Sequence, residues 1–387
     1  MPNLSRSRRK SKGKPSKPYA DYPLFAHANG QWAKKVRSKL HYFGPWDNPE
    51  GALKTYLDQR DYLQAGRRPP DDPDALTLRE LLNRFLSAKQ HLLQEGEIVQ
   101  RTFNDYKEVG DRIAKHMDLS LFVADLRPED FELLRAKLAK TRGPTSIGND
   151  ITRIRMIFKY AYDAELIHQP IRYGQALKKP SRRAIEASRR CQGGRMFEKE
   201  QIRDMLATER MPLVAMVLLG INCGFGNYDC GSLPKWAVDL DRGWIKFPRP
   251  KTGLSRRCPL WPETIEAISM AIEQRPTARD EAHEELVFLT TKGLPWAKDD
   301  GDNPVSKETR KLLLELGYHR TGLSFYALRH TFETIGSETG DQVAVDFIMG
   351  HAPDTNDMAA RYRQRITDGR LEKVTDCVHA WLWGDGK

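Results

Sequence analysis

The spacing of apolar residues divides the chain into a β-rich beginning, a run of helices and a mixed α/β remainder. In the middle part, apolar side chains recur at intervals of three and four residues, which is typical of amphipathic helices. Thr77 and Glu80 form a capping-box pattern that predicts the start of the first helix. Helices are predicted from Thr77 onward, at 100–116, at 128–140 and at 146–164. Together they predict a small helical bundle.

The stretch before the bundle has the short apolar runs and turn residues of β-strands. Strands are predicted at 24–25, 31–36 and 40–44, with a turn at 37–39 and a following helix at 51–63. Asn29-Gly30 lies between the first two strands and is a strong hairpin signal. Lys34 and Lys35 give this sheet a cationic face. That face either binds DNA or is simply solvated.

From Cys191 onward, the pattern predicts one mixed α/β domain. Strands are predicted at 244–247, 257–260 and 286–289. Lys251-Thr252-Gly253 stands at the turn between the first two of them. The predicted fold class is therefore multidomain, mainly α with α+β parts: a disordered basic tail at 1–18, a small β-rich module at 19–70, a helical domain at 76–175 and the mixed α/β domain at 191–387.

Composition narrows the classes of function. With 387 residues, the chain is long enough for two or three domains. The net charge of +11 favours a polyanionic partner, chiefly nucleic acid. A mean hydropathy of −0.64, without a long apolar run, predicts no membrane span and no secretory signal. The 5 cysteines form no CxxC pair, which argues against a zinc site or a disulfide framework and favours a cytoplasmic protein.

Basic residues form three further clusters. The tail at 1–18 is either an arm that lies along DNA phosphates or a disordered solubilising segment. The last helix of the bundle contains three basic residues that are candidate DNA contacts: Arg153, Arg155 and Lys159. The stretch 178–190 is predicted to be a basic linker, which either closes around DNA or forms a solvated hinge.

An Arg, a His and a Tyr stand in fixed order near the end of the chain. Arg329 lies in the run Leu328-Arg329-His330-Thr331-Phe332, His351 follows Gly350, and Tyr362 follows Met358-Ala359-Ala360-Arg361. This order and spacing resemble the C-terminal catalytic box of the tyrosine recombinases, the phage integrase family. The resemblance covers about 77–380 and is strongest over 213–262 and 324–380. Residues 19–70 resemble an arm-type DNA-binding module, and 76–175 the core-binding domain.

The resemblance implies a role for each residue of the motif. Tyr362 is the expected nucleophile, which attacks a DNA phosphate and forms a 3′-phosphotyrosyl bond. Arg329 is a bidentate donor to the phosphate oxygens, and His351 hydrogen-bonds the same phosphate. Lys251 is the expected general acid for the leaving oxygen, and His330 supports the motif. The family uses neither a metal nor another cofactor.

Two positions depart from the family pattern. Gly226, in the segment Cys223-Gly224-Phe225-Gly226, stands where the family has its first arginine, while Asp229 keeps the acid of the pattern. Tyr326 stands where the family has its first histidine, and its hydroxyl can still donate to a phosphate. Loss of one pre-organised donor from such a site typically costs about 3–4 kcal/mol of transition-state stabilisation.

Three explanations of the missing arginine remain open. A cation of the hairpin, Arg256 or Arg257, reaches the phosphate. Alternatively, the backbone N–H groups of 224–226 bind it as an anion nest. In the third, the protein binds DNA without cutting it.

The function that the resemblance implies is site-specific recombination by the integrase of a mobile element. The expected partner is double-stranded DNA, on which a homotetramer cleaves, exchanges and rejoins strands in the cytoplasm, at the nucleoid. One alternative is a catalytically weak or inactive, sequence-specific DNA-binding protein derived from that fold, and another is a monomeric topoisomerase of type IB. The segment 374–383 is expected either to dock on a neighbouring protomer or to pack on its own domain.

Overall fold

The structure, a computed structural model, describes residues 14–64, 66, 76–191, 193–298, 303–352 and 365–384. The chain divides into two compact units, one made of 1–97 with 105–179 and the other of 98–104 with 180–387. Among the described helices, none is both long and apolar enough to cross a membrane.

Among its described residues, the first unit contains one sheet and five α-helices. Its strands are β1 (Phe25–Ala26), β2 (Gln31–Val36) and β3 (Lys39–Pro45), and its helices are α1 (Pro49–Gln64), α2 (Leu78–Gln94), α3 (Gln100–His116, whose first residues count with the second unit), α4 (Pro128–Ala139) and α5 (Pro144–Asp163). The predicted strands and helices of this part are confirmed within a few residues.

The second unit is mainly helical around one small sheet. Its strands are β4 (Val238–Asp239), β5 (Trp244–Lys246) and β6 (Arg257–Pro259), and its described helices are α6 (Arg182–Cys191), α7 (Lys199–Leu206), α8 (Leu213–Asn222), α9 (Asn227–Gly231), α10 (Pro262–Glu273), α11 (Pro304–Glu315), α12 (Tyr326–Gly336), α13 (Gln342–Met349) and α14 (Asp368–Trp383).

The sheet of the first unit is antiparallel, in the order β1-β2-β3. Asn29-Gly30 forms the predicted turn between β1 and β2. Arg37 and Ser38, both with positive φ, make the tight turn between β2 and β3. Trp32 is buried beneath the sheet and meets Tyr22 edge to face at 4.9 Å. Helix α1 packs on the same face, and the sheet and α1 together enclose a small apolar core.

The bundle α2–α5 has a core of aromatic and branched side chains. The Thr77 capping box is formed as predicted, with the Thr77 side chain bound to the Glu80 backbone N–H. Phe131 and Phe158 meet edge to face at 5.3 Å in the centre of the bundle. The buried Asp150 is paired with Arg112 at 3.2 Å, so its charge is compensated inside the bundle.

The stretch 178–190 is not the simple linker that its composition predicts. Its residues 182–190, together with Cys191, form helix α6, in which no side chain is buried. The hydroxyl of Ser181 accepts the N–H of Ala184, and Glu186 pairs with Arg190 one turn later at 4.0 Å. Arg, Ala and Glu all have high helix propensity, so local preferences suffice to make this exposed helix.

The core of the second unit is built around α8, whose residues 213–222 are all buried. Helices α10 and α12 pack on α8, and the sheet runs in the order β4-β5-β6. The predicted hairpin of β5 and β6 is confirmed. The strand predicted at 286–289 is wrong, because Leu286 bridges Pro234 while Leu289 bridges Pro295, and two single bridges with different partners make no ladder.

Helix α14 packs on its own unit, which is one of the two expectations for 374–383. Leu371, Val374 and Val378 are fully buried in the core that α8 and α12 share. At the start of α14, Arg370 donates two hydrogen bonds of 2.6 Å to the carboxylate of Asp341. Because Asp341 caps the N-terminus of α13, this ion pair joins α14 to the helix that ends before His351.

The Arg370 ion pair predicts a pH-dependent stability. Hydrogen bonds from Arg370 lower the pKa of Asp341 below its ordinary value. A lowered pKa in the folded state stabilises the protein above the ordinary pKa of about 4. This stabilisation disappears as the pH falls through the lowered value. The Asp341→Asn variant keeps a capping side chain but loses the charge that pairs with Arg370. Its melting temperature should therefore lie below that of the parent at pH 7.

The difference between the two melting temperatures should shrink below about pH 4. Differential scanning calorimetry of both proteins across this range measures it. A difference that stays constant down to pH 2 would show that the charge of Asp341 contributes nothing.

Candidate functional site

Arg329 lies on the inner face of α12 and is 2% exposed. Its Nη1 donates to the carbonyl of Gly224, and its Nη2 donates to the carbonyl of Met349 at 2.7 Å. Gly224 has φ +60, and a Cβ there would lie 2.9 Å from Cδ1 of Phe332. Only glycine therefore brings this carbonyl to the guanidinium. The main chain at two separate helix ends fixes the orientation of Arg329.

The surroundings of Arg329 are electropositive. Its pKa is lowered to about 10, first because the side chain is buried and second because Arg249 is near. Tyr326 and Asp229 offset this shift in part, while Arg256 adds to it. The guanidinium remains charged at neutral pH. A buried cation of this kind, with another cation beside it, is suited to receive an anion.

Arg256 is 1% exposed and contacts a carboxylate, a main-chain carbonyl and an aromatic ring. Its Nη2 lies 3.0 Å from Oδ1 of Asp229, and its Nε donates to the carbonyl of Phe247 at 2.8 Å. The guanidinium also lies 4.0 Å from the ring centroid of Phe225. Arg256 therefore lies within the cluster, but its partners commit it to supporting the loop that contains Gly226.

Arg257, the other hairpin cation considered for the phosphate, has different partners. Its Nη2 forms an ion pair with Asp368 at the start of α14. Its guanidinium lies 4.8 Å from the ring centroid of Trp244. These contacts tie Arg257 to α14 and β5.

The N–H groups of Phe225 and Gly226 serve internal hydrogen bonds. Phe225 donates to the carbonyl of Leu219 at 3.3 Å, and Gly226 donates to Oδ2 of Asp229 at 2.7 Å. The following helix α9 has only five residues. Because these two donors are occupied, the structure does not support an anion nest built from them.

His351 follows the end of α13, where Gly350 forms a left-handed C-cap with φ +62. Its Nδ1 lies 3.2 Å from Oδ1 of Asp346 and 3.8 Å from Oε2 of Glu333. Nδ1 is thus the nitrogen used inside the protein, which leaves Nε2 for a ligand. The ligand atoms of these three residues lie within 4.8 Å of one another, so among the described residues they are the group with the spacing to hold a metal ion.

Tyr326 and His330 lie one turn apart on α12. Tyr326 is 43% exposed, and its ring meets that of His330 at 5.4 Å. The pKa of His330 is lowered by its burial and then by Arg195 and Arg329. A Cβ at position 226 would lie 3.6 Å from the Tyr326 ring. The two departures from the family pattern, Gly226 and Tyr326, are therefore neighbours in space.

Lys251 is exposed at the tip of the turn between β5 and β6. Arg249 holds the base of this turn, since its N–H donates to Leu254 at 2.8 Å and its carbonyl accepts the N–H groups of Thr252 and Gly253. The Nη1 of Arg249 donates to the carbonyl of Gly350 at 3.1 Å. Sequence reasoning missed Arg249; the run Arg249-Pro250-Lys251 contained the signal, a second cation beside the expected general acid.

Tyr362, the predicted nucleophile, lies outside the described residues. The structure brings together Arg329, Asp229, Tyr326 and the Gly226 loop, and it places His351 directly after the carbonyls that bind Arg329 and Arg249.

The predicted DNA contacts of the first unit mostly have internal partners. Arg153 pairs with Asp105, and Lys159 pairs with Asp163 within hydrogen-bonding distance. The remaining three are Arg155, 5.6 Å above the ring centroid of Tyr173; Lys34, 4.5 Å above that of Tyr56; and Lys35, which is exposed.

Known proteins share this architecture. Residues 195–366 match the family model described as the phage integrase family. The structure of a lambda integrase dimer bound to a COC′ core site is similar with a TM-score of 0.58 and 15% identity, covering 93% of this chain and 99% of that chain. The Tn1549 transposon integrase in complex with transposon right end DNA gives 0.56 and 16%, covering 78% and 99%.

A comparison with curated protein sequences gives no match. The structural likenesses show the fold, which extends over nearly the whole chain. Residues 195–366 are a domain of the phage integrase family, that is, of the tyrosine recombinases. The expected family and fold class are thereby confirmed.

The Arg256 ion pair predicts that loss of Arg256 destabilises the protein much more than loss of its neighbour Arg257. Arg256→Met leaves the buried Asp229 without its countercharge, which should lower the free energy of unfolding by about 3–5 kcal/mol. Arg257→Met is the matched control, since that arginine is half-exposed and its loss should cost at most about 1 kcal/mol. Calorimetry of the full chain measures both changes. Equal losses in the two variants would contradict the structural role of Arg256.

Proposed function

We propose that this protein is a site-specific DNA recombinase that cleaves and rejoins strands through a 3′-phosphotyrosyl intermediate. One observation carries the proposal: within a phage integrase domain, Arg329 and Arg249 bind the consecutive carbonyls of Met349 and Gly350, directly before His351. Among the described residues, no carboxylate forms an ion pair with either arginine. Two such guanidinium groups beside an imidazole provide hydrogen-bond donors for a phosphodiester.

The residues divide the chemistry as follows. The Tyr362 hydroxyl loses its proton to solvent, and its oxygen attacks the phosphorus and forms the new P–O bond while the bond to the 5′-oxygen breaks. Lys251 gives a proton to that leaving oxygen, which becomes a 5′-hydroxyl. Arg329 and His351 stabilise the non-bridging oxygens as negative charge increases on them. Tyr326 adds a hydroxyl donor on the side of Gly226.

Rejoining is the reverse reaction with a different strand. A 5′-hydroxyl attacks the phosphotyrosyl phosphorus, and the tyrosine oxygen leaves. Because one phosphate ester replaces another at each step, the reaction needs no nucleotide hydrolysis. The residues above supply the charge and the protons, so we propose that the protein works without a metal or another cofactor.

Double-stranded DNA is the proposed partner. The matched structures include a lambda integrase dimer on a core site and a lambda integrase tetramer on a Holliday junction, the latter with a TM-score of 0.57 and 16% identity, covering 90% of this chain and 98% of that chain. We propose a homotetramer on DNA for this chain as well, acting at the nucleoid. In this proposal, 19–70 serves as an arm-type module, 76–175 as the core-binding domain and 191–387 as the catalytic domain.

Basic side chains of the first unit that are available to bind DNA phosphates support this assignment. Lys34, Lys35 and Arg155 lack a carboxylate partner among the described residues and can bind phosphates without breaking an ion pair. Arg153 and Lys159 must first leave their carboxylates, which makes them weaker candidates. Such contacts add sequence-independent affinity that falls with salt.

Trapping the covalent intermediate tests the proposal. The bound DNA site is first selected from random duplexes with the Tyr362→Phe variant. A duplex with that site and a nick beside the cleavage point then releases a short fragment on cleavage, which prevents rejoining. The parent protein should accumulate a covalent protein–DNA adduct in a denaturing gel. Tyr362→Phe should bind the same DNA without an adduct, while the control Tyr318→Phe, in the same unit, should behave as the parent.

The other outcomes identify the alternatives. Specific binding by the parent without any adduct would show an inactive DNA-binding protein. An adduct that forms at any sequence, together with relaxation of supercoiled DNA by the monomer, would show a topoisomerase of type IB. An adduct that persists in Tyr362→Phe would show that the nucleophile is another residue.

A further inference from the structure

Gly226 stands where the family has its first arginine, and the backbone conformation at this position does not explain why it is a glycine. Gly226 has φ −91, a value that any residue adopts, so its conformation does not require glycine. A Cβ at this position would lie 3.2 Å from Oδ2 of Asp229 and 3.6 Å from the Tyr326 ring, ordinary or slightly tight distances. If the protein cleaves DNA, the charge that a side chain at 226 would supply must come from another residue.

We propose that Arg249 supplies this charge and binds a non-bridging oxygen of the scissile phosphate beside Arg329. The proposal rests on the proposed function and assigns a further catalytic residue to it. It places the second guanidinium of the site on the hairpin between β5 and β6, two residues before Lys251, instead of on the loop before α9.

The main chain at Arg249 is fixed. Its N–H donates to the carbonyl of Leu254, and its own carbonyl accepts hydrogen bonds of 3.0 Å from Thr252 and 2.8 Å from Gly253. These three bonds close the turn that carries Lys251. Arg249 and Lys251 therefore move as one body, and a phosphate held by the first is presented to the second.

The side chain of Arg249 is directed towards the end of α13. Gly350 has φ +62, and a Cβ there would lie 3.0 Å from Cβ of Arg249 and 3.2 Å from Cδ of Arg256. The absence of a side chain at 350 allows Arg249 to reach the Gly350 carbonyl, one residue after the carbonyl that binds Arg329. Two guanidinium groups are thus brought to adjacent peptide units.

This juxtaposition is unfavourable without an anion. The pKa of Arg329 is lowered first by burial and next by repulsion from the nearby Arg249 cation. Within the described part of the chain, no carboxylate pairs with either of them. A phosphate bound by both guanidinium groups would turn this repulsion into attraction, and more so in the transition state, where its negative charge is greater.

The neighbouring arginines do not compete for this role. Arg256 is fully buried and bound to Asp229, and Arg257 is bound to Asp368. Arg249 is half-buried, and its one side-chain hydrogen bond to a described residue goes to a neutral carbonyl. It can turn to an incoming phosphate without leaving a carboxylate uncompensated.

The test compares two substrates with the Arg249→Ala variant. On the nicked duplex with its natural phosphate, the rate of adduct formation should fall by about 10²–10³-fold, the usual loss for one pre-organised donor. On the same duplex with a methylphosphonate at the cleaved position, one charged oxygen is replaced by a methyl group. There the variant should lose far less relative to the parent, because less charge needs to be neutralised.

Arg275→Ala is the matched control, since Arg275 also donates to a main-chain carbonyl, that of Glu284 at 2.6 Å, away from the site. It should cleave both substrates as the parent does. A second variant, Gly226→Arg combined with Arg249→Ala, should recover a large part of the lost rate by returning a cation to the loop.

The outcomes separate the inference from the function on which it rests. No adduct with the parent protein sinks the proposed function itself. An adduct with the parent and an equal rate with Arg249→Ala overturns the role of Arg249 alone. An equal loss on both substrates, with no recovery by Gly226→Arg, shows that Arg249 only supports the hairpin and the end of α13, and this too overturns the proposal.

Discussion

The burial of one guanidinium, that of Arg329, is the constraint on which the site depends. A charged group taken out of water must have hydrogen-bond partners, and here main-chain carbonyls at the ends of two helices provide them. The first follows α8 and the second ends α13, so α12 must lie where its arginine reaches both. Gly224 is part of the same constraint, because a side chain there would collide with Phe332. The all-buried α8 holds this arrangement rigid.

Using neutral carbonyls for Arg329 has an electrostatic consequence. A carboxylate partner would cancel the charge, whereas a carbonyl orients the cation and leaves its charge to a ligand. The one buried acid nearby, Asp229, is used instead to fix Arg256 and the N–H of Gly226. The charge of Arg329 thus remains available to a ligand, whereas the charge of Arg256 is used to support the loop. Arg249, which pairs with no carboxylate among the described residues, belongs with the former.

Much of the fold could be predicted from the sequence, because apolar periodicity and caps are local signals. The helices of the bundle, the sheet at β1–β3 and the hairpin of β5 and β6 lie within a few residues of their predicted positions. The errors have local causes too. Basic composition at 178–190 indicated a linker, although the same residues favour a helix. The apolar run at 286–289 looked like a strand, although its neighbours in space give it no ladder.

The sequence by itself determined the family, the order of the motif residues and the absence of an arginine at position 226. It did so because a motif is a matter of residue type and spacing. Only the tertiary structure decided which side chains lie near that position. It also decided which of the three hairpin arginines pairs with no carboxylate in the part of the chain that the structure describes. The sequence alone does not distinguish Arg249, Arg256 and Arg257. Their partners are a carbonyl, a buried aspartate and an exposed aspartate, which come from α13, α9 and α14, and only folding brings these distant segments together.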